Sequence, residues 1–232
     1  MYETIIARRI NMDKKIKFIL PPEGFFAPND SMDDPLPYYY RPVIGFLFRQ
    51  RIQNGLNLLD APYDSVLEFG YGSGLLLPTL NTICKKLSAI DIVSEPSKVK
   101  SSLDKLGFNV DLKKGDITEA AYPPDSFDLI AGFSVFEHIE NPEPILKEMC
   151  RILKSHGRLL VGMPRVDVLM ETFFKFIGYK NINKYHVMSF EKFLTVADKY
   201  FLIKKQSRMP SFLPGLFGLY FTVLLERRDG LS

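Results

Sequence analysis

The sequence predicts an α/β protein with an open, doubly wound and mostly parallel sheet. From residue 65 onward, short β-branched or apolar runs alternate with amphipathic stretches of helical length. One run, residues 127–133, is almost continuously apolar, as is typical of a central strand buried on both faces. Alternating strands and helices imply right-handed crossovers between parallel strands. The 232 residues, 46% hydrophobic and 25% charged, suffice for one such core.

Periodicity and glycine positions mark the elements of this sheet. Gly107 stands where a helix over 95–106 needs its C-cap, and Gly157 is expected to end a helix over 144–155. A further helix is predicted over 75–86, directly after the first strand. The predicted strands cover residues 65–70, 87–93, 110–117, 127–133 and 158–163.

The two ends of the chain lie outside this alternation. Residues 1–64 contain a polar, proline-rich segment and then a helix predicted over 43–59. We expect this N-terminal region to pack on or cap a main domain formed by residues 65–232. At the other end, 201–207 and 220–227 are predicted to form a β-hairpin with a long apolar connection.

Composition and charge exclude several protein classes. The net charge of +3 is mild and the basic clusters are short, which disfavours nucleic acid as a partner. Two cysteines are too few for a disulfide scaffold or a cysteine-based zinc site, and we expect no bound metal. The N-terminus lacks the apolar run of a secretory signal, and prolines and glycines break the longest uncharged stretch, residues 209–225. The sequence therefore predicts a soluble, cytoplasmic protein.

The strongest local signal is a glycine loop that follows the first predicted strand. Gly70, Gly72 and Gly74 alternate with other residues before a helix begins. Glycine permits a tight turn and close approach of a ligand to the backbone, and open α/β sheets bind nucleosides at this place. Leu75 occupies the position of the last glycine of a dinucleotide fingerprint, and no phosphate-binding Gly-Lys-Ser/Thr follows. A ligand without phosphates fits this loop better.

Two acidic residues lie at the ends of the next two predicted strands. Asp91, about twenty residues after the first glycine, is placed to accept hydrogen bonds from both hydroxyls of a ribose, although a helix-capping or solvated aspartate is the alternative. Asp116 follows a glycine and is placed to accept from an adenine amine, with Ile92 and Ile117 flanking the ring. A simple Gly-Asp turn explains Asp116 equally well.

Taken in order with three later motifs, these residues resemble a class I S-adenosylmethionine-dependent methyltransferase of the small-molecule type often labelled type 11. The later motifs are Pro-Asp-Ser-Phe-Asp at 124–128, Phe-Ser-Val-Phe-Glu-His-Ile at 133–139 and Ile-Leu-Lys-Ser-His-Gly at 152–157. The resemblance covers about residues 65–164. It implies a Rossmann-like sheet of seven strands whose last strand is antiparallel, in agreement with the predicted hairpin.

The resemblance also implies S-adenosyl-L-methionine as cofactor and S-adenosyl-L-homocysteine as product. By position, Glu68 and the glycine loop would face the methionine part of the cofactor. Glu68 replaces the commoner aspartate, and Tyr71 stands where a small residue is usual, so Tyr71 is expected to narrow the pocket or form its wall. The residues expected to bind the cofactor are Glu68, Gly70, Tyr71, Gly72, Gly74, Asp91, Ile92, Asp116, Ile117, Phe133 and Ser134.

The acceptor side is less defined by the sequence. His138 is the candidate general base, although packing and hydrogen bonding explain a histidine there as well. Tyr39, Tyr40 and His186 are candidate acceptor contacts, with core packing or a plain loop position as alternatives. Residues 165–200 are expected to form a helical insertion on this side.

Within that insertion, the stretch 166–177 is apolar over more than half of its helical circumference. Core packing, a lid over the acceptor, a dimer contact and a membrane-touching surface all remain open for this stretch. Such a wide apolar face favours a hydrophobic or lipid-like acceptor.

The sequence therefore predicts a methyltransferase that acts on a small, apolar or lipid-like acceptor. We expect a monomer or homodimer with no transmembrane segment, and peripheral contact with a membrane is compatible with the apolar stretches. One alternative is a module on the same fold that binds the cofactor or a nucleoside without catalysis. Another is an NAD-dependent reductase, against which Leu75 argues.

Overall fold

The computed structural model describes residues 15–29, 34–165, 187–210 and 218–230. Within these ranges the chain forms seven strands, five α-helices and two short 3-10 helices, Leu36–Tyr40 and Phe136–His138. The strands are β1 Tyr63–Phe69, β2 Cys84–Asp91, β3 Val110–Lys114, β4 Phe127–Phe133, β5 Leu153–Pro164, β6 Phe201–Met209 and β7 Tyr220–Arg227. The α-helices are α1 Pro42–Leu56, α2 Leu77–Asn81, α3 Pro96–Lys105, α4 Glu143–Ile152 and α5 Phe190–Ala197.

All seven strands join one sheet in the order β3-β2-β1-β4-β5-β7-β6. Strands β1 to β5 run parallel to one another, and β7 runs antiparallel to both β5 and β6. The predicted doubly wound sheet, its antiparallel last strand and the C-terminal hairpin are therefore confirmed. The chain order reverses between β1 and β4, the point at which open α/β sheets form their ligand crevice.

Helices cover both faces of the sheet, and each face has its own apolar core. On one face, buried side chains of α1, α2 and α3, such as Ile52, Leu80 and Leu103, pack against the sheet. On the other face, α4 and α5 contribute Met149 and Phe193. Strand β4 supplies Leu129 to the first core and Ile130 to the second, which explains its continuously apolar sequence.

Two helices are shorter in the structure than predicted, because the residues that follow them pair as strands. Helix α2 ends at Asn81 rather than at residue 86, because residues from Cys84 onward pair with β1, beginning opposite Tyr63. Helix α4 ends at Ile152 rather than at residue 155, because Leu153 already pairs with Phe127 at the start of β5. Gly157 is therefore not a helix terminator and lies within a strand whose pairing with β4 is irregular.

The N-terminal region packs over the face that carries α1. The backbone amide of Phe18 donates to Gln53 Oε1 of α1 at 2.9 Å, and that of Ile19 donates to Thr79 Oγ1 of α2 at 3.0 Å. Further along, Phe26 and Tyr39 are buried in the same core as α1. This packing brings residues 25–29 next to the glycine loop.

The predicted helix over 166–177 and most of the apolar stretch 209–225 lie outside the described residues, as does His186. The end of the predicted helical insertion over 165–200 is present as α5, and Ser189 caps this helix by accepting a hydrogen bond from the Lys192 amide. None of the helices in the described ranges is both long and apolar enough to span a membrane.

Candidate functional site

The glycine loop lies at the carboxyl end of β1, where the strand order reverses. Gly70, Gly72 and Gly74 all adopt positive φ angles of 76°, 53° and 87°, a region that residues with side chains rarely adopt. A side chain at Gly70 would overlap Val135, which follows β4, so the loop and the end of β4 touch closely. The alternating glycines are therefore required by the backbone shape of the loop.

Asp91, the last residue of β2, is fixed by three backbone amides. Its Oδ2 accepts from the Gly72 amide at 2.8 Å, and its Oδ1 accepts from Val93 at 2.8 Å and Ser94 at 2.7 Å. A carboxylate has about four lone-pair directions, so room is left for a further donor such as a ribose hydroxyl. The structure thus brings the predicted ribose contact directly against the glycine loop.

Glu68 is the most unusual carboxyl group near the loop. Its side chain is buried inside β1, and Oε2 has no hydrogen-bond partner among the described residues. Burial, with the nearby charge of Asp91, raises the pKa of Glu68 well above its ordinary value. A buried carboxyl with an unused oxygen beside a second acid is suited to a cationic partner.

The sequence predicts that Tyr71 narrows the cofactor pocket or forms its wall, and in the structure this side chain is buried and bonded to the turn that follows β2. Its side chain is only 3% exposed, and its hydroxyl donates to the Ser94 carbonyl at 2.9 Å. Burial and the charges of Asp91, Glu95 and Glu68 raise the pKa of Tyr71, so the phenol stays neutral and able to donate. Tyr71 therefore links the glycine loop to the turn that follows β2.

The predicted adenine contacts differ in how accessible they are. Asp116 Oδ1 accepts from both the amide and the hydroxyl of Thr118 at 2.8 Å, which is an Asx turn. Ile92 is 67% exposed, whereas Ile117 is buried in the core with Ile130. An adenine ring between these two residues can lie on the exposed side chain of Ile92. It contacts Ile117 only if that buried side chain moves.

The end of β4 carries a polar cluster in which Ser134 and Tyr39 are predicted site residues, whereas Arg51 and Tyr220 are not. Arg51 of α1 donates from Nη1 to Ser134 Oγ at 3.2 Å and from Nη2 to the Tyr39 hydroxyl at 2.9 Å. The Ser134 hydroxyl also lies 3.1 Å from the hydroxyl of Tyr220, the first residue of β7. Ser134 itself has a positive φ of 58°, a strained conformation that is common at binding sites. Arg51 is thus a cation held at the carboxyl edge of the sheet.

Glu137 completes this cluster, which we call the Arg51 cluster and which comprises Tyr39, Arg51, Ser134, Glu137 and Tyr220. Glu137 is 1% exposed, and Oε2 has no hydrogen-bond partner within the described ranges. Burial raises the pKa of Glu137 to about 8, and its own backbone amide, Arg51 and Ser134 offset only part of that effect. Near neutral pH this carboxyl is therefore mostly protonated, and Arg51 keeps its positive charge.

The predicted methionine-side residue Phe133, the candidate base His138 and the predicted acceptor contacts Tyr39 and Tyr40 do not all lie together. Phe133 packs between α1 and β5, because side chains at Gly55 or Gly162 would meet its ring at 2.5 Å. Tyr39 is buried and belongs to the Arg51 cluster, whereas the Tyr40 hydroxyl donates to the Pro21 carbonyl at 3.0 Å. His138 is exposed in the second 3-10 helix. The structure brings Phe133, Ser134 and Tyr39 together and leaves Tyr40 elsewhere.

The residues at this edge fit a small molecule with an amino-acid arm and a nucleoside. Glu68 offers an unsatisfied buried oxygen for an ammonium group, Arg51 a cation for a carboxylate, and Asp91 a fixed acceptor for a sugar. No group of three or more metal-ligating side chains occurs in residues 15–29, 34–165, 187–210 and 218–230.

Comparison with known proteins finds similarity in the central part of the chain. Residues 67–161 match the family described as "Methyltransferase domain". Over 100 residues the chain is 32% identical to the "Ubiquinone biosynthesis O-methyltransferase" of Xanthomonas euvesicatoria pv. vesicatoria (strain 85-10), covering 42% of this chain and 41% of that protein. The match thus spans about two fifths of the length of this curated relative.

Solved structures agree on the fold. The N-methyltransferase NodS from Bradyrhizobium japonicum WM9, in complex with S-adenosyl-l-homocysteine, superposes with a TM-score of 0.61 at 18% identity, covering 86% of this chain and 94% of NodS. The [4+2]-cyclase SpnF superposes with a TM-score of 0.59 at 15% identity, covering 81% and 82%. With the seven-stranded topology, these comparisons show that the chain has the fold of these structures and that residues 67–161 are similar to the methyltransferase domain family, whose cofactor is S-adenosyl-L-methionine.

Proposed function

We propose that this protein transfers the methyl group of S-adenosyl-L-methionine to a small, apolar or lipid-like acceptor. The observation that carries the proposal is the buried Glu68 carboxyl at the base of the glycine loop, whose Oε2 lacks a partner in the described part of the chain. The match of residues 67–161 to a methyltransferase domain supports the reaction type. The cytoplasm is the compartment we propose for this activity.

In this proposal the methionine part of the cofactor, a zwitterion, lies between two opposite charges. Glu68 binds the ammonium group and Arg51 binds the carboxylate, each through charge-assisted hydrogen bonds. Gly72, which adopts a positive φ, has no side chain, so the cofactor can approach the backbone of the loop closely. Arg51 lies close enough for this role, because its partner Ser134 precedes Val135, against which Gly70 packs.

The nucleoside part is held by the next two strand ends. Asp91, already oriented by three amides, accepts from the ribose, while Asp116 accepts from the adenine amine. The exposed Ile92 covers one face of the ring. Ile117 is proposed to contribute the other face after a small movement out of the core.

The bound cofactor supplies an activated methyl group on a sulfonium, so the protein has mainly to orient the acceptor and exclude water. Phe133 and Ser134 at the end of β4 line the methionine side. His138 is the candidate base that removes a proton from a hydroxyl acceptor, since its ring is exposed near the end of the same strand. A nucleophile that is already ionised would not need it.

The acceptor class is proposed from two further observations. Curated relatives bear the name "Ubiquinone biosynthesis O-methyltransferase", which favours an oxygen nucleophile on a lipid-like molecule. Val187, at the start of the segment that leads into α5, is 52% exposed and offers apolar surface on this side of the fold. We propose peripheral contact with a membrane as the source of such an acceptor, and a monomer or homodimer as the assembly.

A second function is favoured by one specific comparison. Because SpnF shares this fold and is named as a [4+2]-cyclase, the fold hosts chemistry other than methyl transfer. The competing hypothesis is therefore a protein that binds the cofactor without consuming it.

Titration calorimetry and a turnover assay test the proposal together. We expect the protein to bind S-adenosyl-L-homocysteine and not NAD, and to release S-adenosyl-L-homocysteine when given S-adenosyl-L-methionine with a panel of phenols and catechols that carry short or long alkyl chains. Product release that increases with chain length supports the lipid-like acceptor. Binding without turnover across the panel would favour the non-catalytic alternative, and no binding of either sulfur nucleoside would refute the proposal.

A further inference from the structure

Tyr71 connects the glycine loop to the turn that orients Asp91. Its hydroxyl donates to the Ser94 carbonyl at 2.9 Å, and both residues are almost completely buried, with Tyr71 3% and Ser94 2% exposed. The amide of the same Ser94 donates to Asp91 Oδ1 at 2.7 Å. A single residue therefore links the phenol of the loop to the carboxylate at the end of β2.

The turn is held from the N-terminal region as well. Asn29 Nδ2 donates to the Ser94 hydroxyl at 3.4 Å, and a side chain at Gly72 would lie 3.5 Å from the same nitrogen. Gly72 in turn donates its amide to Asp91 Oδ2 at 2.8 Å. The contacts close a ring that runs from Tyr71 through Ser94 and Asp91 to Gly72, the neighbour of Tyr71 in the chain.

We infer that Tyr71 is a positioning residue for the nucleoside half of the cofactor, acting through Ser94 and Asp91 rather than by touching the cofactor itself. This inference rests on the proposed function, because it assumes that Asp91 binds a ribose. The burial of the ring and the engagement of the hydroxyl by Ser94 argue against the expected role of Tyr71 as a pocket wall. The hydroxyl fixes the turn over 91–94, and the turn sets the direction in which the Asp91 carboxylate points.

The variant Tyr71→Phe removes only the hydroxyl and keeps the buried ring. The variant removes one neutral hydrogen bond from those that hold the turn, so we expect the dissociation constant of S-adenosyl-L-homocysteine to rise about three- to tenfold. The dissociation constant of 5′-methylthioadenosine, which lacks the amino-acid arm, should rise by the same factor. In turnover assays KM for S-adenosyl-L-methionine should rise while kcat at saturation stays unchanged.

Two control variants separate positioning from a general loss of stability. Tyr122→Phe also removes a buried phenol hydroxyl, one without a hydrogen-bond partner in the described residues, and its ring packs on Phe127 at the opposite end of the sheet. We expect it to bind both ligands like the unmodified protein. Arg51→Gln should weaken S-adenosyl-L-homocysteine but leave 5′-methylthioadenosine unaffected.

A double-mutant cycle tests the route through Asp91. If Tyr71 acts by orienting Asp91, the loss caused by Tyr71→Phe should disappear when Asp91 is already replaced by alanine, which has no acceptor to orient. Equal losses in both backgrounds, unchanged binding by Tyr71→Phe, or weakening of S-adenosyl-L-homocysteine alone would each overturn the inference. If the unmodified protein binds neither ligand, the proposed function fails instead, so the two failures are distinguishable.

Discussion

Replacement of Glu137 by glutamine should change how the stability of the protein depends on pH. Glu137 is buried in the Arg51 cluster at 1% exposure, with one carboxyl oxygen lacking a partner among the described residues. In the folded protein its pKa is raised to about 8, whereas in the unfolded chain it is near 4.5. A glutamine side chain at this position is nearly isosteric but unable to ionise, so the comparison isolates the cost of this one charge.

The sign and size of the effect follow from proton linkage. Between pH 4.5 and pH 8 the unfolded chain has released the proton and the folded protein still holds it, so the stability contributed by Glu137 is full below pH 4.5 and falls as the pH rises. The limiting slope is about 1.4 kcal/mol per pH unit. Between pH 5 and pH 7 the unmodified protein should therefore lose about 2.5 kcal/mol of unfolding free energy relative to Glu137→Gln, slightly less than the limiting slope gives.

Urea unfolding of the cofactor-free proteins at pH 5, 6 and 7 measures this difference directly. Other groups that titrate, including Glu68, are present in both proteins and cancel in the comparison. The matched control is Glu140→Gln, which alters an exposed glutamate three residues further along and should shift stability equally at each pH. A gap between the unmodified protein and Glu137→Gln that stays constant across this range would refute the reasoning that Glu137 is buried in protonated form.

Two further predictions concern cofactor binding and are measured by titration calorimetry with S-adenosyl-L-homocysteine. Asp91→Asn should weaken binding by about 1–3 kcal/mol, because a charge-assisted bond to the ribose is replaced by a neutral one; unchanged affinity would refute the ribose role. Gly72→Val should abolish binding yet leave a folded protein, because a β-branched residue is strained at the φ of 53° and fills the loop next to Asn29. Near-normal binding by this variant would mean that the loop lies away from the ligand.

Much of the fold follows from local sequence patterns, and the errors occur where distant strands decide the outcome. The strand over 127–133 is predicted to the residue, because its continuous apolar run has few alternatives. The ends of α2 and α4 are misplaced, since the pairing of Cys84 with Tyr63 and of Leu153 with Phe127 depends on strands elsewhere in the chain. Helical periodicity in the sequence contains no information about such strand pairings.

In the candidate site too, local features can be predicted from the sequence, whereas contacts between distant residues cannot. The glycine loop and Asp91 are recognisable because their spacing is local and the backbone geometry requires glycine. The Arg51 cluster as a whole cannot be recognised from the sequence, since Arg51 and Ser134 lie 83 residues apart, and Ser134 and Tyr220 lie 86 apart. The one available signal was Arg51 itself, a charged residue one position before the buried Ile52 in a largely apolar helix. The partner of Tyr71 was equally hidden, because Ser94 follows the next strand.

The distribution of charge at the sheet edge explains why a buried acid can lie beside Arg51, the cation that we propose binds the cofactor carboxylate. If Glu137 were ionised it would neutralise Arg51, and a carboxylate from outside would gain little by binding there. Because burial keeps Glu137 protonated up to about pH 8, Arg51 retains a positive charge that the neutral hydroxyls of Ser134 and Tyr39 orient without cancelling. Glu68 is the opposite case, a buried acid beside another acid, and a bound ammonium group would restore its ionised form. Burial thus disfavours the ionised form of both Glu137 and Glu68. It leaves Arg51 positively charged at one end of the site and leaves Glu68 able to ionise when an ammonium group binds at the other end. A methionine zwitterion requires this pattern of charges.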